Sequence, residues 1–184
     1  VGSGKFTRTE IIQGFDYYKT VLNRYPAIHI NHSQNENNLY WGEKRFVWPL
    51  SWFMKLVQKV EFQGEREGGI FFWGDFAKKY VVFIRNLVFS NINTLKCDPG
   101  MPYREQKKNE FSNYWFSSSD GHTVEEFVDL IDHKNISQLV AERGCCIVYT
   151  HFASGFVDPH GELDQRFKSR MVHLAKQNGW FVPA

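Results

Sequence analysis

Four polar clusters stand directly after short apolar runs in this 184-residue chain, and each holds side chains capable of chemistry. They are Asn31-His32, Arg85-Asn86, Ser117-Ser118-Ser119-Asp120 and His151. An imidazole moves protons and ligates metals near neutral pH. A carboxylate accepts a proton or holds a hard cation, and a guanidinium orients an anion. The stretch INHSQNENN, residues 30–38, adds Glu36 four residues after His32. That pair reads either as two metal ligands or as members of a polar loop. His151 follows the most strongly strand-like run of the chain, CCIVYT at 145–150, which predicts a central, rigid strand behind it. Singly, each cluster has a plain structural explanation, since a strand-end histidine is usually hydrogen-bonded scaffold and Ser-Ser-Ser-Asp-Gly is an ordinary turn and cap sequence. Their recurrence at corresponding places is what points to a pocket.

The elements that must position these groups alternate along the chain. Thr7 or Thr9 can cap a helix reaching about Asn23, with Ile11, Ile12, Phe15 and Tyr18 on one face. Residues 27–30 read as a short buried strand, 48–60 as an amphipathic helix, and 75–80 as a short helix leading into a strand at 81–84. A further strand is expected at 113–116. Thr123 and Glu126 match a capping box opening a helix to about Ile131. A helix at 135–143 closes on Gly144, a strand follows at 145–150, a helix spans 164–177, and a last strand is expected at 180–182. Continuously apolar strands alternating with helices indicate a parallel α/β sheet, in which sites form at the carboxyl ends of strands. An open doubly wound sheet and a (β/α) barrel both fit, and 184 residues is short of the roughly 250 of a complete eight-stranded barrel. One domain over residues 1–184 is the default, with two small ones possible.

Composition narrows the functional classes. A net charge of +2 with mixed signs leaves no basic stripe for nucleic acid. Aromatics at 17% exceed what a minimal core needs, leaving some for sugar or peptide contact. No apolar run approaches the roughly 20 residues of a membrane span, and the N-terminal residues do not form a signal peptide. Cys97, Cys145 and Cys146 form no metal or redox spacing; free thiols lean toward a reducing, cytoplasmic compartment. Gly2-Ser3-Gly4-Lys5 lacks the rest of a phosphate loop, and no Gly-x-Ser-x-Gly elbow occurs. His29, His122, His133, His160 and His173 fall in strands, turns or helix surfaces, with no role predicted for them.

Together the strand-end residues resemble the polysaccharide deacetylases of carbohydrate esterase family 4. His32-Ser33-Gln34-Asn35 is similar to the start of that family's metal motif, with Glu36 where its second histidine stands, and Leu39 keeps the register. Arg85 matches the family's arginine turn at the arginine alone. Asp120 matches the aspartate of a further motif without its tryptophan, and Ile147-Val148-Tyr149-Thr150-His151 resembles the strand ending in the general-acid histidine. The family's Thr-Phe-Asp-Asp-Gly motif is absent from these 184 residues.

The resemblance implies an incomplete, distorted (β/α) barrel of which this chain is the C-terminal two-thirds, with the first strand and its Asp motif upstream. It implies metal-dependent hydrolysis of N- or O-acetyl groups on a glycan. His32 and Glu36 would hold a divalent ion, zinc or similar, His151 would be the general acid, and Arg85 and Asp120 would orient the reacting groups. Asn31, Trp73, Trp115 and Tyr149 would contact the acetylated sugar. The alternatives are a non-catalytic glycan-binding relative, with Trp41, Trp73 and Trp115 stacking sugars, and another carbohydrate-active hydrolase using Glu36 and Asp120 as its acid–base pair.

Overall fold

The computed structural model describes residues 5–32, 35–46, 48–58 and 60–182. Ser33 and Gln34 of the His-Ser motif, and Pro183-Ala184, lie outside them. The architecture is mixed α/β: helix α1 (Arg8–Leu22), strand β1 (Ile28–Ile30), helices α2 (Leu50–Val57) and α3 (Gly74–Tyr80), strand β2 (Phe83–Phe89), the one-turn helix α4 (Thr94–Cys97), strand β3 (Tyr114–Asp120), helices α5 (Val124–Leu130) and α6 (His133–Ala141), strand β4 (Val148–Tyr149) and helix α7 (Gln165–Ala175). The strands form one parallel sheet in the order β1-β2-β3-β4. Each strand is added beside the last with no reversal of order. That is the winding of a (β/α) barrel, whereas a doubly wound sheet reverses at a switch point.

Two compact units divide the chain: Val1–Asn86 with Pro102–Phe116, and Leu87–Met101 with Ser117–Ala184. The core of the first gathers Leu39, Trp73, Ala77, Val81, Ile84 and Trp115, with Ile11 and Phe15 of α1 packed against it. The helix starts there because Thr7 and Glu10 form a capping box, and it stops at Asn23, which takes a left-handed conformation at φ 54°. β1 pairs with β2 in the register Ile28↔Phe83, His29↔Ile84, Ile30↔Arg85. The core of the second unit gathers Ile92, Val124, Phe127, Leu130, Ile136 and Phe156. There the Thr123–Glu126 capping box opens α5, and the Asp132 side chain caps α6 by accepting from the Asn135 amide at 2.6 Å.

Four sequence expectations are corrected. The second strand begins at Phe83 and runs to Phe89, later and longer than 81–84, because Val81 still closes α3 through its amide bond to Ala77 O. The third strand runs on through Ser117–Ser119 to Asp120. All three serines are buried, and two are satisfied: the Ser117 hydroxyl donates to Asp98 at 2.6 Å, and Ser119 Oγ bonds Thr94 Oγ1 and Asn91 O at 2.7 Å each, while Ser118 Oγ is buried without a hydrogen-bond partner. The run 145–150 shortens to Val148–Tyr149, since Asn93 Oδ1 and Thr94 Oγ1 accept the amides of Cys145 and Ile147 in place of a strand neighbour. No strand forms at 180–182, where Trp180 is 88% exposed.

Candidate functional site

β3 and β4 pair in parallel with Asp120 beside Tyr149. Strand geometry repeats every two residues, so the positions two further on, His122 and His151, are again neighbours. The backbone bears this out: His151 N donates to His122 O at 3.0 Å and Gly121 N to Tyr149 O at 3.1 Å. The imidazole rings lie 6.2 Å apart and nearly perpendicular. The carboxyl ends of two adjacent strands thus present two histidines, one aspartate and one tyrosine within the second unit.

His122 Nδ1 lies between two carboxylates. It donates to Asp120 Oδ1 at 3.2 Å and contacts Glu126 Oε2. Glu126 reaches this place because α5 begins immediately after the strand: the same Oε2 accepts from Thr123 N at 3.2 Å as the second half of the capping box. One carboxylate therefore closes the helix N-terminus and flanks the imidazole. Tyr149 Oη and His151 Nε2 share a hydrogen bond, which fixes the orientation of that ring. The Asp120, His122 and Glu126 side chains are 40–45% exposed, open to a ligand while anchored by the strand and helix ends. A surface depression lined by Ser90, Asp120, Glu126, Asp129, Leu130 and Asn135 adjoins them.

In the first unit the predicted residues serve other ends. Asn31 is fully buried, and its side chain donates to Leu39 O at 2.8 Å and accepts from Leu39 N at 3.0 Å. Asn38 closes the same loop on His32, accepting from its amide at 3.0 Å and donating to its carbonyl at 3.3 Å. Arg85 sits inside β2, 4% exposed, with Nη2 donating to Asn31 O at 3.4 Å. Trp73 and Trp115 are buried to 0% exposure, so neither presents a ring face to a sugar. Trp73 spends its indole N–H on Asn37 O at 2.7 Å. Trp41 carries the Arg45 guanidinium over its ring at 4.0 Å.

The donor sets differ in what they offer a divalent ion. Glu36 already holds the Lys5 ammonium at 2.7 Å, which leaves the expected His32–Glu36 set with one engaged carboxylate. Asp120, His122 and Glu126 offer one ligand atom each, all within 4.8 Å of one another. An imidazole with two carboxylates suits zinc or a harder divalent ion. Among the described residues this is the one group of three such side chains.

No family model, curated protein or solved structure matches the chain. Among the described residues, no helix is long and apolar enough to cross a membrane.

Sequence reasoning brought Asp120 and His151 forward as residues just past apolar runs, put Tyr149 inside a strand, and passed over His122 and Glu126. Two signals were there: Asp-Gly-His at a strand end, and the His122-x3-Glu126 spacing across a helix N-terminus, which brings the capping-box glutamate back beside the residue before the cap. Ending the strand at Phe116 hid the first signal.

Proposed function

We propose that this chain carries acid–base machinery of a glycan deacetylase, hydrolysing N- or O-acetyl groups at the carboxyl ends of β3 and β4. One observation supports this above others: Asp120, His122 and Glu126 converge while His151, bonded to Tyr149, stands on the adjoining strand end. Deacetylation requires one group to take a proton from attacking water and another to return one to the departing nitrogen or oxygen. Asp120 and Glu126 each turn one oxygen to His122, and their second oxygens are the proton acceptors. His151 is the donor to the leaving group, held in orientation by Tyr149. Asp120, His122 and Glu126 would hold a divalent ion, which would supply polarisation of the acetyl carbonyl. The depression lined by Ser90, Asp129 and Asn135 receives the sugar through hydroxyl hydrogen bonds. The barrel-type winding order and the resemblance of residues 147–151 to the deacetylase acid motif favour this chemistry over other hydrolyses. The reading that the chain only binds glycans loses two of its three stacking platforms, since Trp73 and Trp115 are buried, and the third, Trp41, carries Arg45 over its ring.

The test is acetate release from acetylated chito-oligosaccharides and acetylated xylan by the intact protein with zinc supplied. His151→Ala and His122→Ala are expected to lower kcat by about 10²–10⁴-fold. Absence of acetate release from both substrates, or release untouched by both substitutions, overturns the proposal.

A further inference from the structure

Helix α2 is turned inside out. At roughly 100° per residue, Trp52, Leu56, Phe53, Val57 and Leu50 share an arc of roughly 160°. In a helix packed on a core this arc would be buried. Here every one of the five is half exposed or more, from Leu50 at 50% to Val57 at 69%. The half-buried side chains are Ser51 and Met54 instead. Trp48, just before the helix, is 80% exposed and extends the patch. Trp52 and Phe53 pack edge to face at 5.0 Å, so the aromatic part presents a preformed surface. Scattered exposed apolar residues need no explanation, whereas a contiguous patch of this kind marks a surface that docks.

Charge selects the partner. From Glu43 to Glu61 the sequence carries four basic residues, Lys44, Arg45, Lys55 and Lys59, against two acidic ones, Glu43 and Glu61, at its ends. Lys44 is engaged with Glu65, while Lys55 lies exposed on the helix itself. A second copy of the chain docking symmetrically here would bring the same cationic window against itself, at an electrostatic cost. A sugar polymer needs planar faces flanked by hydrogen-bonding groups, and Leu50, Leu56 and Val57 offer none. Apolar side chains in one arc, two tryptophans and an excess of flanking cations over acids match the interfacial region of an anionic bilayer.

We infer that α2, with Trp48, docks on the surface of an anionic phospholipid membrane, its Trp52–Leu56–Phe53 face entering the headgroup–acyl boundary without spanning it. Lysine and the flanking cations supply attraction that salt screens, and the apolar arc supplies the part that salt does not.

The full chain is sedimented with vesicles of phosphatidylcholine alone and with 30% phosphatidylglycerol (about a third anionic, a composition chosen to give a negative surface potential). Binding to the anionic vesicles is expected, reduced by added salt. A Trp52→Ser/Phe53→Ser/Leu56→Ser variant, whose folding is checked by circular dichroism, is expected to bind more than about tenfold less well. Lys55→Glu is expected to weaken binding to anionic vesicles only. Failure of the wild type to sediment with anionic vesicles overturns the inference, as does equal binding by the triple variant. A wild-type dimer dispersed by the triple variant, or retention on acetylated glycan in place of vesicles, assigns the face to a different occupant and also overturns it.

Discussion

Asn31 and Leu39 meet like two residues of neighbouring strands. The Asn31 carboxamide donates to Leu39 O and accepts from Leu39 N, so a side chain supplies both halves of a backbone ladder rung. Both residues are buried to 0% exposure, where water cannot replace either bond. Replacing Asn31 by Ala strands the Leu39 amide and carbonyl in a dry site. The expected loss is about 2–4 kcal/mol of unfolding free energy, read by urea denaturation. An effect below about 0.5 kcal/mol, the size of an ordinary surface change, would show that the rung contributes nothing.

His29 makes stability depend on acid. Burial, followed by the charge of Arg85, pushes its imidazole down to about 4, against the opposing hydrogen bond of Asn31. Its Nε2 is shielded from solvent although the residue as a whole is half-buried. An unfolded chain binds a proton at this residue below about 6.5, which the folded chain refuses until about 4. Stability is therefore full above pH 6.5 and falls as the pH drops through that window. The loss is of the order of 3 kcal/mol at most. Unfolding free energies at pH 7 and pH 4.5 measure it, and His29→Gln should shrink the difference between them.

Tyr149 is expected to act through His151. Tyr149→Phe removes the hydroxyl that bonds His151 Nε2. It should lower kcat for acetate release by about tenfold, with KM held, and displace one limb of the pH–rate profile. Unfolding free energy should change by less than about 0.5 kcal/mol, as expected of a partly exposed site. Equal losses in activity and stability would mark Tyr149 as structural.

The three thiols should separate by reactivity. Cys97 and Cys145 are exposed, whereas burial pushes the Cys146 thiol up to about 11. At pH 8 a thiolate-selective disulfide reagent should label Cys97 and Cys145 quickly and Cys146 only on unfolding, because the thiolate is the nucleophile. Peptide mapping of the labelled chain identifies the order; rapid labelling of Cys146 would contradict its burial.

Local rules reached most of the helices. Thr7 with Glu10 and Thr123 with Glu126 are capping boxes in the sequence and in the fold, since a helix N-terminus is decided by residues three apart. The strands were less legible. Ser117–Ser119 carries the composition of a turn, and nothing nearby announces that Asp98, Asn91 and Thr94 will satisfy two of its hydroxyls. Trp180-Phe181-Val182 carries the composition of a strand and stays exposed, because an apolar run forms a strand only where a neighbour offers its backbone.

The same division holds for the candidate site. The alternation of apolar runs and helical periods determined a parallel α/β sheet from the sequence, and with it the expectation that chemistry gathers at strand ends, which brought Asp120 and His151 forward. Register belongs to the tertiary structure. Only the pairing of Asp120 with Tyr149 sets His122 beside His151, and only the start of α5 directly after the strand turns Glu126 toward His122. Burial was decided there too: Trp73 and Trp115, aromatic platforms by composition, became core because packing removes both indoles from water. Spacing along a chain reports which side chains share an element, and contact between elements depends on pairings many residues apart.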